Sequence, residues 1–142
     1  ISRPWQWLLS YMQIGSFDEE PYLATSISYT VWALAIPTFG YMVYRTVKRD
    51  EAALFGASWF TATYLAWIPL SLVTNRVSYL YYFYPVVGSL CIGLGLASAQ
   101  LLSAYKQRES GVLKWVALAA AVALIVGHLV SFVILSPLSH MV

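Results

Sequence analysis

An all-α membrane fold, with four spanning helices preceded by a short amphipathic helix along the bilayer boundary, is what this 142-residue sequence predicts. Three observations predict it. Hydrophobic residues make up 60% of the chain and charged residues 10%, far from the roughly 25% charged residues of soluble domains. The apolar residues gather into four runs near the roughly 20 residues needed to cross a bilayer. The charges collect between the runs, in stretches such as RTVKRDE and YKQRESGVLK. Inside hydrocarbon each backbone polar group must be bonded within its own segment, so runs of this length are read as helices. The length suits a single domain. The chain opens on Ile rather than Met and carries no signal-peptide pattern, so it reads as a piece of a longer protein.

Residues 1–14 form the first element. In RPWQWLLSYMQ, Trp5, Leu8, Leu9 and Met12 recur at i, i+3, i+4 and i+7, while Gln6, Ser10 and Gln13 turn the other way. The segment is too short to span, and tryptophans such as Trp5 and Trp7 suit the headgroup boundary. A surface helix against a neighbouring soluble domain is the alternative reading. GSFDEEP then supplies a loop and a helix start, with Pro21 in the first turn and Asp18, Glu19 and Glu20 near the positive end of the helix dipole. Spanning helices are expected over 22–44, 53–73, 79–103 and 112–135. A short polar link, 74–78, joins the second to the third.

Orientation follows from the basic residues of short loops. Arg45, Lys48, Arg49, Lys106, Arg108 and Lys114 lie on one side, against Arg3 and Arg76 on the other. Six against two assigns the first group to the cytoplasm. Both chain ends, the tryptophan helix and Arg76 then share the external or lumenal side.

The stretch TNRVSYLYYFYP holds the most suggestive chemistry. Arg76 sits on the link, followed by Tyr79, Tyr81, Tyr82, Phe83 and Tyr84, which at helical spacing must wrap around a helix start. A guanidinium at the membrane boundary pairs bidentately with phosphate. An aromatic belt with a snorkelling arginine explains the same residues without a ligand. Pro69 and Pro85 flank the link, and each is expected to bend its helix, so that a groove opens between helix ends; ordinary helix irregularity is the other reading. Gly88, Gly93 and Gly95, with Ala97 and Ser98, make the third helix slim enough for close packing. His128 lacks the facing partner that a bis-histidine haem needs, and a hydrogen bond to a neighbouring helix is expected of it. His140 falls on the side of Arg76. The lone Cys91 supports neither a disulfide framework nor a metal site, and a net charge of +2 is too small and scattered to suggest nucleic acid.

Taken in order, RPWQWLL, the acidic loop, YTVWALAIP, the charged turn, YLAWIPLSLVTNRVSYLYYFYPVVGSL and LSPL resemble the C-terminal four-helix region of the protein O-mannosyltransferases, GT-C-type membrane enzymes. The most specific part is Pro69, Arg76, Tyr79, Tyr81, Tyr82, Tyr84 and Pro85. Ser28 and Tyr29 stand where the family has a Gly-Asn-Pro, and Tyr82 or Phe83 where relatives have a histidine. These departures bear on donor and acceptor subtype rather than on fold. The resemblance implies transfer of mannose from dolichyl or another polyprenyl phosphate to Ser or Thr of an acceptor protein on the external or lumenal face. It implies no metal and no cofactor beyond that lipid-linked donor. The catalytic acids would lie in the N-terminal transmembrane half of the same enzyme, outside this chain. Arg76, Tyr79 and Tyr82 would bind the lipid phosphate, Pro69, Tyr81 and Pro85 would shape the groove, and Trp5 and Trp7 would rest on the membrane. Location in a prokaryotic cell membrane or the endoplasmic reticulum membrane follows from the same likeness.

A second reading, of another class, is a non-catalytic four-helix anchor or assembly subunit of the haem or quinone type. A transporter half is a third, disfavoured by the lack of acidic residues in the expected spans and of repeat symmetry.

Overall fold

Helices form along the apolar runs, and the breaks between them have identifiable chemical causes. The computed structural model describes residues 4, 6–9, 28–74, 83–107 and 111–135, and among these it is all-helical, with no strand. A single turn, α1 (Gln6–Leu9), precedes α2 (Tyr29–Ala33), α3 (Ala35–Val47), α4 (Glu51–Phe60), a π-helical turn (Thr61–Leu65), α5 (Trp67–Thr74), α6 (Tyr84–Gln107) and α7 (Val112–Leu135). Among the described residues two helices, Tyr84–Gln107 and Val112–Ile134, are long and apolar enough to cross a membrane. Of the third expected helix, 79–103, residues 79–82 lie outside the described residues; α6 covers the remainder from Tyr84 and continues to Gln107.

Two helical columns are interrupted. Between α2 and α3, Leu34 leaves helical geometry at φ −94° and ψ 2°. Pro37 explains the break, since it has no N–H to give the Ala33 carbonyl and its ring crowds that oxygen. Between α4 and α5 the Ala66 N–H reaches back to the Thr61 carbonyl at 3.1 Å, one residue further than an α-helix allows. Pro69 lies four residues beyond Leu65, the last residue of this wide turn, and cannot donate to its carbonyl. Thr61 and Thr63 donate their hydroxyls to Ala57 O at 2.8 Å and Trp59 O at 2.7 Å, a back-bonding that bends helices.

The turn from α3 to α4 needs three residues. The Asp50 N–H bonds to Arg45 O at 3.1 Å and the Arg49 N–H to Thr46 O at 2.9 Å, the paired bonds that close a helix through a left-handed residue. Arg49 occupies that place at φ 63°, where glycine is usual. Asp50 then caps α4, its Oδ1 accepting from the Ala53 N–H at 3.1 Å. At the other turn Gly111, at φ 120°, leads into α7.

Side-chain neighbours fix the directions of the columns. Thr38 and Met42 lie against Gly93, and Arg45 meets Gln100, so α3 and α6 run the same way. Trp59 covers Gly88, and Tyr64 meets Phe83, so the column containing α4 runs opposite to α6. Thr30 approaches Gly127 and Ser28 bonds Ser131, which makes α7 antiparallel to α2. Both turns with basic residues therefore fall at one end. The end of α5 and the start of α6 fall at the other.

The core is a cluster of Val31, Ala35, Phe60, Tyr64, Phe83, Val86, Leu90 and Leu94. An aromatic ladder runs through it. Phe39 stacks on Phe60 at 4.3 Å between centroids, Phe60 meets Tyr64 edge-on at 5.4 Å, and Tyr64 meets Phe83 at 5.3 Å. Each such pair contributes about 0.5–1.5 kcal/mol beyond the area it buries. The outer face of α7 is apolar and exposed, from Val112 and Trp115 to Phe132 and Ile134.

Candidate functional site

The end of the bundle away from the basic turns is where the sequence concentrates its candidate residues. The aromatic ladder reaches this end at Tyr64, whose hydroxyl donates to the Pro4 carbonyl at 2.9 Å. Leu8 of α1 packs against the same core cluster. Hence the N-terminal turn closes on the bundle itself rather than standing apart from it. Beside Phe83, Tyr84 opens α6 with its ring against the core, and its hydroxyl oxygen is buried with no hydrogen-bond partner among the described residues. A buried hydroxyl left unpaired is costly, by about 1–3 kcal/mol.

Arg76, Tyr79, Tyr81 and Tyr82 lie outside the described residues, as do Trp5 and His140. Trp7 belongs to α1, with its side chain outside the description. Pro69 and Pro85 are both exposed, in α5 and α6. Their roles differ from expectation. Pro69 follows the wide turn and goes with a genuine irregularity, whereas Pro85 is the second residue of α6. There its missing N–H has no intrahelical partner to lose, so it bends nothing. The wall expected from two bent helices is thus formed on one side only. α5 itself buries no residue, and Val73 is 86% exposed.

Several polar groups of consequence carry no signal in the linear sequence. Ser131 is 3% exposed; its Oγ accepts from the Tyr29 N–H at 2.9 Å and lies 2.9 Å from Ser28 Oγ. Residues 28 and 29 therefore fasten α2 to α7. At the opposite end Arg45 donates to Asp50 Oδ2 at 2.5 Å, to Gln100 Oε1 at 2.9 Å and to the Tyr41 hydroxyl at 3.1 Å, while Tyr41 donates to Gln100. The Ala53 N–H and then the Arg45 guanidinium hold the Asp50 carboxyl below the usual carboxylate range. Arg45 was counted in the sequence only as a loop charge; in the structure it ties α3, the turn and α6 together.

His128 is bonded through Nδ1 to Leu124 O at 2.7 Å. That carbonyl belongs to its own helix, one turn earlier, so the expected bond to a neighbouring helix is replaced by a local one. Gly88 and Gly93 do face neighbours closely, but Gly95 opens on empty space. Among the described residues no three of His, Cys, Asp or Glu are grouped to hold a metal ion.

Compared with known proteins, the chain matches no family model, no characterised protein and no solved structure.

Proposed function

We propose that this chain is the membrane region of a GT-C-type glycosyltransferase that moves mannose from a polyprenyl or dolichyl phosphate to Ser or Thr of a protein acceptor. On this reading the α2–α3 and α4–α5 columns cross the bilayer together with α6 and α7, giving four spans. The turn α1 lies at the membrane boundary. Exposed apolar residues along the two broken columns, among them Ile36, Val43, Leu54, Phe55 and Leu72, suit contact with lipid.

The observation that carries the reading is the polarity of the bundle. The turns bearing Arg45, Lys48, Arg49, Lys106 and Lys114 share one end, so α5 and α6 are joined at the other. With the basic end in the cytoplasm, the connection containing Arg76 faces outward, the side on which a lipid-phosphate sugar is used. Arg76 then pairs with the donor phosphate and stabilises the charge that grows on it as the sugar leaves. The buried Tyr84 hydroxyl at the start of α6, without a partner among the described residues, is a donor of the kind a phosphate oxygen accepts. Tyr79 and Tyr82 complete the phosphate contacts, with Tyr81 and Pro69 shaping the surroundings. The sugar-transferring acids belong to the N-terminal half of the enzyme.

The test is transfer of labelled mannose from a polyprenyl-phosphate donor to a Ser/Thr peptide by the full-length enzyme. Arg76→Ala is expected to cost about 2–4 kcal/mol of transition-state stabilisation, read from the fall in kcat/KM, in scale with one lost charge-stabilising donor. Arg76→Lys is expected to recover only part of the loss, because an ammonium lacks the planar fork that pairs two phosphate oxygens in parallel. Wild-type turnover in both variants would remove the phosphate role.

A further inference from the structure

The cytoplasmic end of the bundle offers a second surface, and its chemistry differs from that of the Arg76 end. Lys48, Arg49 and Lys106 are exposed, and Lys114 is half-buried. Against these, among the described residues, the same end offers Asp50, already committed to Arg45 and the cap of α4, and the exposed Glu51. Two of the lysines lie over aromatic rings. The Lys48 ammonium is 5.7 Å from the centroid of Tyr44, and that of Lys114 is 5.1 Å from Tyr105. Trp115, one residue on, is 64% exposed and continues into the apolar outer face of α7.

Cations held at aromatic rings, directly beside a lipid-facing apolar surface, sit at the level of phospholipid headgroups. Arg49 adds an argument from the backbone. Its φ of 63° is one that an L-residue adopts at a cost of about 1–2 kcal/mol and glycine adopts freely. A positive charge is thus presented at a position where folding alone favours glycine.

We propose that this basic, aromatic-backed rim is a docking surface for anionic phospholipid headgroups of the cytoplasmic leaflet. Lys48 and Arg49 on one turn, and Lys106 and Lys114 flanking the other, draw acidic lipids around the ends of the helices. The inference rests on the membrane reading of the chain and is independent of the sugar donor.

The purified chain is reconstituted in discs of phosphatidylcholine alone, or mixed one-to-one with phosphatidylglycerol, and the lipids it retains after transfer to detergent are counted by native mass spectrometry. Phosphatidylglycerol is expected to be retained in excess at low salt, with the excess shrinking as salt screens exposed charge. Lys48→Gln with Arg49→Gln, and separately Lys106→Gln with Lys114→Gln, each leave the other turn basic, so orientation is preserved. Each removed charge is expected to lower the preference about fivefold, the scale of one Lys or Arg near an anionic surface. Replacing the three lysines by arginine is expected to keep it. Arg49→Gly is expected to lower the lipid preference while decreasing the unfolding constant about fivefold in phosphatidylcholine discs, as the strain is relieved.

Equal retention of the two lipids by the wild-type chain, or a preference that survives both double substitutions, overturns the proposal. So does equal stabilisation by free inorganic phosphate in phosphatidylcholine discs. An Arg76→Ala enzyme that loses transfer yet keeps its phosphatidylglycerol preference separates this surface from the donor site.

Discussion

Gly93 and Gly95 are two residues apart on one helix and predict opposite outcomes. A Cβ at Gly93 collides with Thr38 Cγ2 and comes within 2.9 Å of the Met42 Cγ and Sδ atoms, while one at Gly95 meets nothing within 4 Å. Thr38 is 6% exposed and Met42 fully buried, so neither has room to retreat. Gly93→Ala is expected to destabilise the bundle by about 1–3 kcal/mol, the usual penalty of overfilling a packed core. Gly95→Ala is expected to be neutral or to stabilise by up to about 1 kcal/mol, from helix propensity alone. Unfolding titrations in mixed micelles measure both; equal effects would mean that α6 does not press on α3 here. That glycines make this helix slim was legible in the sequence. Which of them meet a neighbour was not, because spacing along a helix gives a face and leaves open what stands opposite. The same holds for His128, a single in-line residue whose bonding partner no periodicity indicates.

At the scale of elements, the turn between α3 and α4 concentrates several functions in Asp50. It closes one helix through its N–H, caps the next through Oδ1 and binds Arg45 through Oδ2. Because its folded-state pKa is depressed, its contribution is fully present above the ordinary carboxylate pKa and is lost as pH falls through the lower folded value. The midpoint of thermal unfolding is therefore expected to hold steady near neutrality and to drop as pH is taken below about 4. Asp50→Asn keeps a good cap and is expected to flatten that acid limb, whereas Asp50→Ala lowers stability at neutral pH as well. An acid limb unchanged in Asp50→Asn would assign it to other carboxylates. The helical character of the chain was readable from the apolar runs, but the breaks within the first two were not given by their lengths. The break at Leu34 follows from Pro37 once its missing donor is matched to the Ala33 carbonyl. The wide turn over Thr61–Leu65 has its marker outside it, in Pro69, which cannot donate to the Leu65 carbonyl; its own residues include neither Pro nor Gly. The clamp of Ser28 and Tyr29 on Ser131 joins residues more than a hundred positions apart, beyond the reach of any local pattern.

For the whole molecule, the deciding matter is how deep the helices sit. Cys91 is a free, exposed thiol on α6, about seven residues and so roughly 10 Å from the start of that helix. If α6 crosses the bilayer, a charged, water-soluble thiol reagent is expected to leave Cys91 unmodified in lipid and to label it once the chain is dissolved in denaturing detergent. Mass spectrometry reads the adduct, and rapid labelling in lipid would mean that this face of α6 is wet. The polarity of the bundle was anticipated from loop charge, because basic clusters are short-range features of the sequence. The candidate site was legible as a composition, an arginine among tyrosines, but Tyr84 carried no mark to separate it from its neighbours. Its distinction, a hydroxyl shut away without a partner among the described residues, arises only from packing.

The π-helical turn carries a further consequence. It adds one step to the helical count, so every side chain after Leu65 is displaced by roughly 100° around the axis from where an unbroken wheel drawn from Glu51 would set it. A kindred sequence lacking that step needs a single-residue gap within 61–65 to bring Pro69 into alignment. Without the gap, the two chains agree up to Phe60 and fall out of phase beyond it.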